Sequence, residues 1–263
     1  MDKLKIRLVT IGHMPLHLNL QRVGEWRSEV FQLVGGIDNF SLRCDSDRDD
    51  WTFSDRLLET QLPAHNGADL LVAVVNVPIE GNWYTRRLGD NQIVFTYSQI
   101  REYLIWENIP LENIILRLLY AYTLVHRRAG NRIPSIDEIS AFTHDETRGC
   151  LFDMNGIKTD IVESCDKPVV CSDCEERLNN ERVSRQTIKT VQKEIQRIRK
   201  PLYFRALDFV KLHPIVALVA SSAFAIVLGT VGSLIASFVY DSIKAKPSGG
   251  TTSQSNDPAK LVR

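Results

Sequence analysis

Residues 215–240 read IVALVASSAFAIVLGTVGSLIASFVY, twenty-six positions without a charged side chain. A helix crossing a bilayer core needs ~20 apolar residues, so this run is long enough to span once. A buried helix of a globular domain has a polar face and a shorter apolar stretch. The run therefore predicts one transmembrane helix, at residues 214–240. Within it Ala217, Ser221, Ala225, Gly229, Ser233 and Ser237 recur at every fourth position. Small residues so spaced let helix backbones approach closely in lipid, and the stripe predicts a homo-oligomer. No ionisable group lies in the span, which argues against an ion-coupled transporter.

Outward from the span, charge divides the chain. Residues 181–213 carry nine Lys or Arg against three acidic residues, and the tail 241–263 carries four against two. The first 180 residues keep 19 basic and 27 acidic side chains. This predicts an acidic domain at 1–180, repelled by nucleic acid, and a basic helical neck at 181–213 suited to lipid headgroups. No direct nucleic-acid binding is expected. Lys193, Arg197, Arg199, Lys200, Arg205 and Lys211 precede the span closely, while only Lys244 and Lys246 follow it closely. Positive charge on the near side predicts a cytoplasmic N-terminal domain in a single-pass protein of the cell inner membrane. The opening MDKLKIRLVTIGHM lacks the apolar core and cleavage site of a signal peptide. The polar, Ser-rich stretch 249–263 is expected to be disordered.

In the neck, Ile188, Val191, Ile195, Ile198 and Leu202 are spaced three, four, three and four. That seam suits a short coiled coil, and equally an amphipathic helix packed on its own domain or on lipid. Pro201 and Pro214 are expected to kink the approach, with Tyr203, Phe204 and Phe209 as an interfacial collar.

The first 180 residues interleave strand and helix patterns. Leu4–Ile11 reads as an early strand, the apolar spacing of Val23, Trp26, Val30, Phe31 and Val34 as an amphipathic helix, and residues 39–44 as a returning strand. Residues 69–77 (DLLVAVVNV) suit the middle of a sheet, with 93–97 as its neighbour. Glu112–Arg128 has a broad apolar face and reads as a helix. The expected class is α/β, a mixed sheet with flanking helices. His13 and His17 flank Pro15 and read as loop histidines. Trp83 and Tyr84 fit a contact patch or a cap on the sheet.

The most chemical stretch is HDETRGCLFDMNGIKTDIVESCDKPVVCSDC, residues 144–174. Five cysteines in a reducing compartment point to metal before disulfides. Cys171 and Cys174 form a CxxC, whose thiolates can reach one ion from a tight turn, and Cys150 precedes them by about twenty residues. A structural zinc site wants four ligands; His144 is the first choice for the fourth, ahead of Cys165, with Asp145 also open. The expected zinc knuckle is His144, Cys150, Cys171 and Cys174.

These residues resemble the end of the archaemetzincin signature. In that family a third metal-binding histidine is followed directly by a cysteine, then after four residues by another, and some twenty residues later by a CxxC. Here His144 stands at the histidine, Asp145 replaces the first cysteine, Cys150 matches the second, and Cys171 and Cys174 match the closing pair with one extra residue between. The resemblance implies a metzincin-like fold over about 110 residues. It does not extend to the catalytic motif. A metzincin needs HExxH on a helix, two histidines gripping zinc with a glutamate to activate water. Counting back from His144, the equivalent positions are Pro134, Ser135 and Glu138; on the helix from Glu112 the candidates are Tyr120, Tyr122 and His126. Neither register makes a catalytic zinc site, and no HExxH occurs in the chain. No catalytic residue is assigned and no enzyme is expected. The layout of acidic domain, neck and span is similar to the transmembrane effectors of bacterial anti-phage systems of the retron type. That similarity implies a non-enzymatic effector that perturbs the membrane, with another component of the system as partner. The alternative is a non-toxic, membrane-tethered scaffold.

Overall fold

β1 (Leu4–Ile11) is the strand on which the rest of the sheet is laid. In the computed structural model, which describes residues 2–135, 138, 143–144, 147–153 and 158–244, it runs parallel to three partners. β2 (Phe31–Leu33) pairs along its first half and β3 (Asp38–Phe40) along its second, while β4 (Leu70–Val75) lies on its other side. Beyond β4 come β6 (Gln92–Thr96), parallel to it, and β5 (Thr85–Leu88), antiparallel to β6. The order is β2-β1-β4-β6-β5, a mixed sheet with the run 69–77 at its centre.

All six residues of β4 are buried. Leu70, Val72 and Val74 join Leu4, Ile6, Leu8, Ile93 and Phe95 in the larger core. Leu71, Ala73 and Val75 join Val9, Ile11 and Val94 in a second core, closed by Leu58 of α2 (Asp55–Gln61). A strand covered on both faces needs no polar alternation, hence its continuous apolar reading. The larger core is covered by α4 (Glu112–Arg128), with the bounds its pattern predicts. Fifteen of its seventeen residues are buried, so it is enclosed on every side.

The helix expected through Val23 to Val34 is not formed. α1 (Leu20–Gly24) is little more than one turn, and the chain then turns into β2. The Ser28 hydroxyl accepts from the amides of Val30 and Phe31 at 3.1 and 3.4 Å, offering the backbone a turn instead of a helix. Pairing with β1 then buries Phe31 as a strand residue, with Val30 buried just before it. The three-four spacing there was satisfied by tertiary packing rather than by a helix face. The returning strand is shorter than expected and ends at Phe40.

After α3 (Arg101–Trp106), α4 and a 3-10 segment (Lys158–Cys165) come α5 (Ser172–Asn180) and α6 (Arg185–Ile195). Ser184 caps α6, accepting from the Thr187 amide at 3.1 Å. Ile188, Val191, Ile195 and Ile198, the seam of the neck, are fully buried in the larger core. Of the readings open for that seam, the structure has the helix packed on its own domain. Leu202 stays exposed. The first compact unit accordingly runs Met1–Phe204, and α6 lies within it. α6 also carries a buried carboxylate: Glu194 accepts from the Ser28 hydroxyl at 2.7 Å, the Glu29 amide at 2.8 Å and the Tyr120 hydroxyl at 2.6 Å.

The second unit, Arg205–Arg263, holds most of α7 (Leu202–Leu212) and all of α8 (Pro214–Lys244). Proline at the first helical position of α8 costs no hydrogen bond, because that amide has no partner in any case. Pro214–Asp241 is long and apolar enough to cross a membrane, and none of it is buried. The hydroxyls of Ser221, Ser222 and Thr230 donate to carbonyls of their own helix, so none is left open towards an apolar surround. Residues 245–263, which include the stretch expected to be disordered, lie outside the described residues.

Candidate metal centre

Two short pairings and one helix start bring four ligand atoms together. Gly149 turns the chain with φ of +79°, and a side chain there would press on the Glu163 carbonyl at 3.4 Å. The Leu151 amide then donates to Val169 at 2.8 Å and the Val169 amide to Gly149 at 2.9 Å. This bridge sets Cys150 beside the strand-like approach to Cys171. A second bridge, from the His144 amide to the Phe152 carbonyl at 3.1 Å, returns His144 to the same place. Cys171 is the N-cap of α5 and Cys174 lies in its first turn. Three residues apart on a helix, the two side chains share a face.

The Sγ atoms of Cys150, Cys171 and Cys174 and a ring nitrogen of His144 all lie within 4.8 Å of one another. Cys150 Sγ is 3.9 Å from Cys174 Sγ, and Cys171 Sγ is 3.4 Å from His144 Nε2. A tetrahedral ion with bonds of about 2.3 Å to sulfur and 2.0 Å to nitrogen spaces its ligands by ~3.5–3.8 Å. The donor set therefore fits a metal ion. Cys150 and Cys174 are buried, while Cys171 and His144 are partly exposed.

Electrostatics favour the same reading. The contact between the Cys150 and Cys174 thiols, with amides of Cys171 and Phe152 and the His144 side chain, holds the Cys150 thiol far below its usual range despite burial. The same contact, with burial, pushes the Cys174 thiol up. A metal would bind both as thiolates and displace the protons they carry. The four side chains would fill every position around a tetrahedral ion, the arrangement of a structural rather than a catalytic centre.

Cys165, the second choice for the fourth ligand, is elsewhere. It is fully buried, donates to the Ile161 carbonyl at 3.2 Å, and has its thiol pushed up to about 12 by burial. Asp145 lies outside the described residues. His13 and His17 are exposed loop residues. Tyr120 bonds Glu194 and Trp26, Tyr122 bonds Thr85, and His126 is buried at the end of α4, so these positions do not converge on a common point.

Two residues that the pattern of the sequence does not single out hold the knuckle to α4. One turn apart, the Asn113 amide donates to the Cys165 carbonyl at 2.9 Å, and Arg117 donates to Ser164 Oγ at 2.5 Å and to the Leu151 carbonyl at 3.2 Å. The available signal was a polar pair set into a helix otherwise composed for burial. No family model, curated protein or solved structure matches the chain.

Proposed function

We propose that this chain is a membrane-anchored, non-enzymatic effector. A cytosolic α/β domain, stabilised by zinc at His144, Cys150, Cys171 and Cys174, is carried on a span that self-associates and perturbs the inner membrane. The observation that carries this reading is the stretch Pro214–Asp241 of α8: twenty-eight residues, long and apolar enough to cross a bilayer, none of them buried within the chain. Its small-residue stripe leaves room for a second helix at Gly229, where a Cβ meets nothing within 4 Å. Zinc is favoured because three thiolates and an imidazole in tetrahedral spacing suit it best among common divalent ions. Cations ahead of the span support an N-inside orientation. The cysteine spacing supports a degenerate archaemetzincin-like scaffold, and the layout supports a place in an anti-phage system of the retron type, where a protein component would be bound by the acidic domain.

The test is membrane potential in bacteria expressing the full chain, Gly229→Leu, or a chain ending at Lys211. Collapse that requires both the span and Gly229 supports the effector. An intact potential in all three, at equal expression and with any activating partner supplied, overturns it. A second reading, a tethered scaffold, is favoured by the end of α3, where Tyr103, Ile105 and Trp106 are all exposed. An intact potential with retained binding of a companion protein, lost in Trp106→Ala, is its signature.

A further inference from the structure

Arg117 sits in the middle of α4 with 1 % of its surface exposed. None of the ion pairs among the described residues includes it. Its donors reach only neutral oxygens, Ser164 Oγ and the Leu151 carbonyl. A guanidinium cannot shed its proton to relieve burial, and a buried charge without a counter-charge is one of the costliest arrangements a fold can hold. A positive charge kept in such a place asks for a negative one nearby.

Both oxygens belong to the segment that carries the metal ligands. Leu151 follows Cys150 directly, and Ser164 lies near the end of the 3-10 segment, whose Glu163 carbonyl lies close to Gly149. Three thiolates and a neutral imidazole around a divalent ion sum to one net negative charge. The charges of centre and arginine are equal and opposite, and Arg117 donates to the carbonyl of the residue that follows the ligand Cys150.

We propose that Arg117 is the counter-charge of the metal centre, a positioning residue that selects a divalent ion held by three thiolates. With a monovalent ion the same ligands would carry two negative charges and one guanidinium would leave the site unbalanced. Arg117 acts on the metal through the Leu151 carbonyl, fixing the turn that presents Cys150 while neutralising the thiolates. The inference rests on the metal reading of the four ligands.

The experiment measures zinc affinity of the purified full chain in detergent, by competition with a chromophoric chelator, for the wild type, Arg117→Met, Arg117→Lys and Ser164→Ala. Outer-shell partners of metal ligands are typically worth 10–100-fold in affinity. Arg117→Met is expected to weaken zinc by about 10–100-fold, with Arg117→Lys and Ser164→Ala close to wild type. The thermal midpoint of the Met variant should fall with zinc bound yet be unchanged or higher after chelation, because the apo fold no longer buries an unbalanced charge. A Met variant whose two midpoints fall equally, or whose zinc affinity is unchanged, overturns the proposal. Should the Met variant not fold, Lys decides: a tenfold loss there, with Ser164→Ala unaffected, shows that shape rather than charge is used and also overturns it. A wild type that takes up no zinc refutes the metal reading itself, an outcome distinct from these.

Discussion

Ile195→Ala on α6 tests where the neck seam is spent. Ile195 is fully buried among core residues, and truncating a fully buried Ile to Ala costs about 2–5 kcal/mol. With a urea slope of about 2 kcal/mol per molar, a single truncation moves the unfolding midpoint by about 1–2.5 M. Ile188 lies two turns away on the same face, far enough that the two losses should nearly add. The assay is urea unfolding of the full chain in detergent, followed by tryptophan fluorescence. Trp26 is a local reporter, since its ring stacks 4.3 Å from the Arg197 guanidinium just beyond α6 and its indole donates to Tyr120 at 2.9 Å. A coiled coil gives a different result: the truncation would shift the midpoint only in a manner that depends on protein concentration, and cross-linked oligomers would disappear with it. An unchanged midpoint, or one that moves with concentration, refutes the packing argument.

Other outcomes follow from the same coordinates. The full chain should bind one zinc, lost in Cys150→Ser, Cys171→Ser or Cys174→Ser and kept in Cys165→Ala, as read by metal analysis after gel filtration. Tyr120→Phe removes one of three hydrogen bonds to the buried Glu194 carboxylate and should cost about 1.5–3 kcal/mol, while Glu194→Leu, which strands three donors, should cost more. The Cys165 thiol is raised from 9.0 to about 12 on folding, so between those values the unfolded chain has lost a proton that the folded chain keeps. Stability is therefore whole below pH 9 and falls as pH rises through that window, by about 1.4 kcal/mol per unit. Cys165→Ala should lose that share of the alkaline slope; equal slopes for the two proteins would contradict the burial of the thiol.

The features most readable in the sequence were those written in composition over many residues. Residues 69–77 announce a strand covered on both faces because every position is apolar, and α4 announces itself by length and periodicity. The three cysteines of the candidate metal cluster were legible from spacing, since CxxC with one distant cysteine is a local geometric statement. What failed was local pattern opposed by distant partners. Val23 to Val34 has helical spacing, but Ser28 and the edge of β1 are what decide it, and neither is visible in a window of eleven residues. The seam of α6 was ambiguous for a related reason, as the same three-four repeat serves a coiled coil and a helix on its own core. Arg117 was invisible because its partners lie 34 and 47 positions away.

Glu194 joins residues that were made very early to one made late, reaching Ser28 across 166 positions. The core therefore cannot close until α6 has been synthesised, and Pro214 follows Ile198 by only sixteen residues. At about 5–20 residues per second, that interval lasts from ~1 to ~3 s. Completion of the domain and emergence of α8 thus fall in the same moments of biosynthesis. If α8 enters a membrane as proposed above, a domain slowed by loss of the Glu194 contacts would meet it with its larger core still open, and insertion and folding would compete for one nascent chain.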